Sequence, residues 1–484
     1  GGLPPPAAAV FCRFAPGQSR RMDFLSADST DASLRKGCDL HLHPEPVGWS
    51  RSVDSLASTC APSSSPASPA ETCTRARSSS PWADSSQPRC VPRAVTCPNL
   101  VPRRAPLCAP GATDPCCTNV AFFQRSVSVD PAPWVAGDFA SARTLNSSIF
   151  GEVKLLSPAA GGAGVVAKVV SREAVAKTRS RESNEKTAFF GTKERPIVED
   201  LASEAAVLAL LQRSSAAECP CIIRFLGLFE DASSVYLLTE HCQGGDLFDR
   251  VSAAGPILEE EKQRYVLQML QAVRHMHGHN IGHRDISLEN FVLRKSERGG
   301  HDCVLLDFAQ AVRLRALDGT TYRYFSKAGK PMYRAPEMYV PREQVLPIIC
   351  PDDGGPGSVA QVGYGHCRCE VLLPSDALPG LPCEAEPHGY AAAPADIFAC
   401  GVCVFALSLG KPPWATARDS DPTFSFVRRR GMATLLLQRR RRAKPKGNPA
   451  AEDPWDPLIA QMLRVDPICR GDAVECLRDP WLSA

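Results

Sequence analysis

The chain has 484 residues, 44% hydrophobic and 22% charged, with a formal net charge of +3. At about 100–200 residues per domain the length allows two to four domains. So small a net charge excludes nucleic-acid binding driven by bulk electrostatics. No run reaches the ~18 consecutive apolar residues of a membrane-crossing helix; the longest, Ile397 to Leu409, has the length of a buried globular helix.

Residues 1–130 are dense in Pro, Ser, Ala and Cys, as in Ser55 to Pro69 and Ser78 to Pro88. Such a stretch buries too little apolar surface to offset chain entropy, so a disordered low-complexity extension is expected there. The chain opens on Gly1-Gly2 and not on Met, which fits a fragment, and no signal peptide is visible. The 21 cysteines are odd in number and irregular in spacing, which argues against a disulfide framework. Cys219-Pro-Cys221 and Cys367-Arg-Cys369 lack the second Cys or His pair that a structural zinc site needs. Reduced thiols suit a cytoplasmic or nuclear setting.

From Gly137 to Val153 the pattern predicts two strands around a turn, and Val165 to Val170 predicts a third. Residues 171–199 are charged and poorly periodic, a loop or frayed helix, whereas Leu201 to Leu211 has helical spacing. Strands follow at Cys221 to Phe229 and Val235 to Thr239, ending in the polar, glycine-punctuated hinge Glu240 to Gly245. Beyond Asp246 helices dominate. The segment 348–393, rich in Gly, Pro and Cys, reads as an insertion looping from the surface. The basic run Arg428 to Lys446 reads as a solvated loop or helix face, with docking of acidic substrates or a nuclear signal as the alternatives.

The stretch His283-Arg284-Asp285-Ile286-Ser287-Leu288-Glu289-Asn290 carries the chemistry. In a phosphoryl-transfer site such an aspartate accepts the proton of the substrate hydroxyl, and such an asparagine holds a metal ion. Downstream, in order, come Asp307-Phe308-Ala309, Ala335-Pro336-Glu337, Asp396 opening an apolar helix, and Arg470. Upstream lie a glycine-bearing turn, the strand lysine Lys168 and the helix glutamate Glu204.

This ordered set resembles the eukaryotic protein kinase family, serine/threonine type, over residues 138–484. The resemblance implies an α+β, two-lobed fold: a small β-rich lobe (138–240) and a larger helical lobe (246–484). It implies ATP and Mg²⁺ as cofactors, a protein substrate, and transfer of the γ-phosphoryl group to serine or threonine hydroxyls. Asp285 would be the catalytic base, and Asn290 and Asp307 the metal ligands. Lys168, paired with Glu204, would hold the α/β-phosphates; Ala174-Val175-Ala176-Lys177 is a decoy for Lys168. Val153, Ala167 and Val292 would enclose the adenine ring. Glu240 and Cys242 would offer hinge backbone to adenine, Asp246 would hold the ribose, and Thr239 would gate the rear pocket. Of the three phosphate-loop glycines only Gly151 is present, with Asn146 and Ser148 at the other two positions.

Two departures belong together. The family's serine/threonine members carry a lysine two residues after the catalytic aspartate, where this chain has Ser287. They carry a threonine five residues before the alanine of Ala-Pro-Glu, where this chain has Lys330. The pattern reads as a relocated cation, with Lys330 added to the catalytic set. Ser326, four residues before Lys330, is at the family's usual phosphorylation site, with Thr320, Thr321, Tyr322 and Tyr324 competing, and Arg284 is placed to dock the phosphate. Glu337 and Arg470 match a buried structural ion pair, and Asp396 matches a brace for the catalytic loop. The competing class is a pseudokinase scaffold with little turnover, suggested by the eroded phosphate loop, Ser287 and Ala309.

Overall fold

The computed structural model describes residues 127, 129–147, 151–174, 201–213, 221–253, 257–297, 299–340, 345–365, 367–443 and 453–483. Short runs of branched and aromatic residues build its first sheet, six strands in the order β1-β5-β6-β4-β3-β2. These are β1 (Ala132–Pro133), β2 (Phe139–Ser147), β3 (Gly151–Pro158), β4 (Val165–Ser171), β5 (Phe225–Glu230) and β6 (Ser234–Glu240). β1 pairs in parallel with β5, so the folded part begins upstream of residue 138. Trp134, just after β1, stacks on Tyr236 with centroids 4.0 Å apart and on Phe139 at 5.0 Å. That aromatic cluster explains why a stretch of otherwise weak periodicity is ordered. The helix α1 (Leu201–Arg213) buries Leu201, Val207, Leu208 and Leu211, and with them the carboxylate of Glu204.

Past the hinge, Asp246 caps α2 (Leu247–Ser252), its carboxylate accepting from Asp249 N at 2.7 Å. Helix α3 (Glu259–Gly278) starts with three glutamates, charges suited to the N-terminal end of its macrodipole. One face, including Tyr265, Val266, Met269, Leu270, Val273 and Met276, is buried. Two small antiparallel sheets follow. β7 (Ile281–Gly282) pairs with β10 (Val312–Arg313), and β8 (Phe291–Lys295) pairs with β9 (His301–Leu305). The catalytic loop runs from β7 to β8, so both of its ends are fixed by sheet.

The segment expected to loop from the surface is instead a folded sheet. β11 (Leu346–Ile349), β12 (Val359–Tyr364), β13 (Cys367–Leu372) and β14 (Pro382–Pro387) pair antiparallel in the order β11-β14-β13-β12. They have a core of their own in which Leu346, Val362, Cys367, Cys369, Val371 and Ala385 are buried. The physical reason is a period-two pattern along β13: Cys367, Cys369 and Val371 face inward while Arg368 and Glu370 do not.

Helix α4 (Ala392–Leu409) is apolar on every side and ends at Gly410, whose φ of 74° is the left-handed cap that glycine favours. It is long and apolar enough to cross a membrane, yet 78% of its most apolar window is buried inside the protein, as in a core helix. The remaining helices are α5 (Pro422–Arg430), α6 (Met432–Ala443), α7 (Asp456–Met462) and α8 (Ala473–Cys476). The basic run on α5 and α6 is not merely solvated: Arg439 lies over the Phe405 ring at 5.0 Å, Arg428 pairs with Asp419 at 2.8 Å, and Arg440 pairs with Asp456.

Candidate active site

Strand β4 carries Lys168 opposite Leu237 of β6 and Val153 of β3, which directs it toward α1. Its Nζ donates to Glu204 Oε2 at 3.2 Å and to Asp307 Oδ1 at 3.1 Å, joining three segments far apart in sequence. Glu204 is 3% exposed, and its other oxygen accepts from Phe308 N at 3.1 Å. The carboxylate is thereby fully engaged, by one cation and one amide. Phe308 is 1% exposed and meets the edge of His283, with centroids 4.8 Å apart. Asp307 adopts φ 65°, a left-handed conformation uncommon for a residue with a Cβ. Such positive-φ residues concentrate at functional sites. Burial pushes the Asp307 carboxyl upward, but the Lys168 cation beside it outweighs this and holds it below the usual carboxylate range.

The catalytic loop hangs from Asp396 at the start of α4. Its Oδ2 accepts from His283 N at 2.9 Å and its Oδ1 from Arg284 N at 2.8 Å. Arg284 also sits at positive φ, 67°. Asp285 is 7% exposed, and its Oδ1 has no hydrogen-bond partner. An unpaired buried carboxylate oxygen is costly unless a ligand completes it. Burial drives the Asp285 carboxyl above its ordinary range, with Lys330 pulling the other way. Asn290 Nδ2 donates to Asp285 O at 2.6 Å, committing the amide nitrogen and leaving its oxygen available.

Lys330 and Ser287 meet. Lys330 Nζ donates to Ser287 Oγ at 2.7 Å, and lies 3.9 Å from Asp285 Oδ1 and 4.0 Å from Glu289 Oε2. Burial disfavours its charge, but Asp285, Glu289 and Asp307 together raise its affinity for the proton. The side chain is therefore a buried ammonium at the mouth of the catalytic loop. Gly329 explains how the segment comes so close. With φ 75°, it packs so tightly that a Cβ would stand 2.6 Å from Arg284 O. Gln310 Oε1 accepts from Gly329 N at 3.2 Å, and Arg334 Nε donates to Gly329 O at 2.8 Å. Sequence reading did not single out Gln310 or Arg334; their positions three residues after Asp307 and one before Ala335 were the available signal.

Most of the remaining expected residues fall on β3, β4, the end of β6, the stretch after it, and β8. Ala167 is fully buried, pairing with Lys154 of β3 and Leu238 of β6. Val153, Thr239 and Val292 are half-buried. Glu240 has its side chain engaged by Arg224 N at 3.0 Å and Arg294 Nη1 at 3.1 Å. Cys242 is half-buried, and burial pushes its thiol up to about 12. Asp246 is occupied as the cap of α2 through one oxygen. Gly151 has a reason of its own to be glycine, since a Cβ there would be 1.9 Å from Val169 O. Asn146 is the penultimate residue of β2, its side chain accepting from Ser147 N at 2.9 Å, while Ser148 and Lys177 lie outside the described residues. Ser326 is 2% exposed, and its hydroxyl contacts Arg284 Nη1 at 2.5 Å. Glu337 and Arg470 form a buried two-pronged pair at 2.5 and 2.7 Å.

Among the described residues no cluster of three or more His, Cys, Asp or Glu forms a ready-made metal cage. The donor set of Asp307 and Asn290 nevertheless fits Mg²⁺, which binds through one or two protein oxygens and substrate phosphates rather than a closed cage.

Residues 159–345 match the family model for the protein kinase domain. The match stops one residue before β11, where the inserted sheet begins. The chain is 28% identical over 285 residues to calcium-dependent protein kinase 9 of Oryza sativa subsp. japonica, covering 59% of this chain and 38% of that protein. It is 26% identical over 265 residues to serine/threonine-protein kinase DCLK3 of Mus musculus, covering 54% and 26%. It is 23% identical over 351 residues to CBL-interacting serine/threonine-protein kinase 9 of Arabidopsis thaliana, covering 72% and 58%. The chain thus spans less than two thirds of the length of each of these relatives. A sheet-rich first part and a more helical second part, joined through Lys168, accompany this likeness of residues 159–345 to the protein kinase domain.

Proposed function

We propose that the chain is a catalytically competent protein kinase that transfers the γ-phosphoryl group of ATP to serine or threonine hydroxyls of protein substrates. The observation that carries this reading is the pairing of an engaged Lys168, bound to both Glu204 and Asp307, with an Asp285 oxygen left buried and unpartnered. A scaffold that had lost turnover has no need to keep an unsatisfied carboxylate against a buried lysine.

In this reading the substrate hydroxyl gives its proton to the free oxygen of Asp285. The hydroxyl oxygen forms the new bond to the γ-phosphorus, the bond to the β–γ bridging oxygen breaks, and ADP leaves. Lys168 orients the α/β-phosphates, and Glu204 orients Lys168. Val153, Ala167 and Val292 enclose the adenine, with hinge contacts from the backbone of Glu240 and Cys242 and a ribose contact from Asp246. Asp307 and Asn290 would hold Mg²⁺, which would supply charge neutralisation at the phosphates. Lys330 supplies the cation that position 287 lacks and stabilises charge on the transferring group, a role in which electrostatic preorganisation dominates.

The eroded phosphate loop and Ala309 after Asp307-Phe308 favour the scaffold reading, and one comparison separates the two. Asp285→Asn is expected to abolish phosphotransfer by the purified full chain, with ATP affinity within about twofold of wild type because the carboxylate acts on the hydroxyl and not the nucleotide. Equal, trace transfer by wild type and variant would leave the scaffold.

A further inference from the structure

The segment that delivers Lys330 is held from outside the ordinary domain. Tyr324 and Tyr390 exchange both backbone hydrogen bonds: Tyr324 N donates to Tyr390 O at 2.9 Å and Tyr390 N to Tyr324 O at 2.8 Å. Gly389, at φ 79°, permits this approach, since a Cβ there would lie 2.9 Å from Tyr324 O. Tyr390 Oη then donates to Ser326 O at 2.7 Å. One residue upstream of Tyr324, Arg323 Nη2 reaches Glu370 Oε2 on β13 at 2.5 Å. Glu370 is itself fixed, accepting from Gln361 Nε2 at 3.0 Å through its side chain and from His388 N at 2.9 Å through its carbonyl. The inserted sheet and the strand-like stretch leading out of it thus grip residues 323, 324 and 326.

A phosphate here would have to compete with contacts already made. Arg284 is 5% exposed and donates through Nε to Gln310 O at 3.0 Å, contacts Ser326 Oγ through Nη1, and lies 5.1 Å from the centre of the Tyr324 ring. Tyr324 and Tyr390 are 2% and 3% exposed. A phosphate brings roughly −1.5 to −2 charges and three acceptor oxygens, and at Ser326, 2% exposed, it would have to displace these contacts. The arginine that would receive a phosphate already donates to Gln310 O and Ser326 Oγ, the latter in a segment that the insertion helps to hold.

We propose that Glu370 and Tyr390 are positioning residues: from the inserted sheet they lock the activation segment in the conformation that presents Lys330 to Ser287 and Asp285, so that turnover needs no phosphate on the segment. The proposal rests on the reading of this site as a kinase. It also explains why the sheet is ordered with its own core when a surface loop would have sufficed to connect Glu337 to α4.

The test uses the full chain, treated with phosphatase and confirmed unmodified by mass spectrometry. Wild type, Tyr390→Phe, Glu370→Arg and the swap Arg323→Glu with Glu370→Arg are compared. Three quantities are read: kcat and the KM for ATP, the rate of tryptic cleavage after Lys327, and the melting temperature. Unphosphorylated wild type is expected to keep its turnover within about twofold of the phosphorylated form, and Glu370→Arg to lose about tenfold or more in kcat with the KM for ATP little changed. Cleavage after Lys327 should quicken about fivefold or more in Glu370→Arg, and to a smaller extent in Tyr390→Phe, as local opening becomes easier. The charge swap should restore both kcat and protection, which a merely destabilised sheet would not do. If Glu370→Arg does not fold, Tyr390→Phe carries the test alone. Wild type that is inert until phosphorylated, or unchanged cleavage in every folded variant, overturns the proposal. Cleavage is read without turnover, so a lock that is present in a chain that transfers nothing would count against the kinase reading and not against the lock.

Discussion

At the scale of single residues, the site turns on how Asp285 and Lys330 set each other's charge. Burial raises the Asp285 carboxyl above its ordinary range and the nearby ammonium opposes that rise. A general base works deprotonated, so turnover should be full above the raised pKa and fall as pH drops through it. Lys330→Met removes the opposing cation, the pKa of Asp285 rises further, and the acid limb of kcat/KM should move to higher pH. Profiles taken between about pH 5 and pH 9 check this; an acid limb at the same pH in both proteins would contradict the electrostatic coupling. The residues proposed for the site, Asp285, Asn290, Asp307, Lys168 and Glu204, could be picked out in the sequence because each belongs to a short motif. Gln310 and Arg334 were not, since they act on backbone groups of Gly329, and a contact to backbone leaves no pattern in the partner's side chain.

At the scale of elements, ladders and ion pairs convert that local chemistry into fixed positions. Arg470 is fully buried against Glu337 and also donates to Arg464 O, Val465 O and Pro394 O. Removing one partner of such a pair leaves an uncompensated buried charge, at a cost of about 3–5 kcal/mol. Arg470→Met should therefore lower unfolding stability by that amount in urea titration, and a loss below about 1 kcal/mol would mean that the pair is solvated or redundant. Strand β4 and helix α1 were readable from branched runs and helical spacing. The inserted sheet was not read as one, because Gly and Pro dominate its turns and mask short strands. The signal lay in Cys367-Arg368-Cys369-Glu370-Val371, whose alternation is that of a half-buried strand, although cysteine at such spacing first suggests metal. Strand β1 could not be read at all: two residues, Ala132 and Pro133, carry no period, and Trp134 supplies the packing.

At the scale of the whole molecule, the described residues join two parts through Lys168, Glu204 and Asp307, and a third through the contacts of the inserted sheet with the activation segment. The change from a strand-rich to a helix-rich part was legible because the sequence passes from short branched runs to long helical periods after Glu240. What sequence order alone could not give is that Lys330, 43 positions from Ser287, donates to its hydroxyl at 2.7 Å. That contact underlies the proposed phosphoryl-transfer site, in which the cation would come from the segment around Lys330 instead of position 287. The most direct test is a four-protein cycle of kcat on wild type, Lys330→Thr, Ser287→Lys and the double variant. Lys330→Thr should lose roughly a hundredfold in turnover, equivalent to about 2–4 kcal/mol of transition-state stabilisation. Ser287→Lys alone should be neutral or harmful, because two ammonium groups would crowd one site, while the double variant should recover much of the loss. Undiminished turnover in Lys330→Thr, or no recovery in the double variant, would contradict the relocated cation.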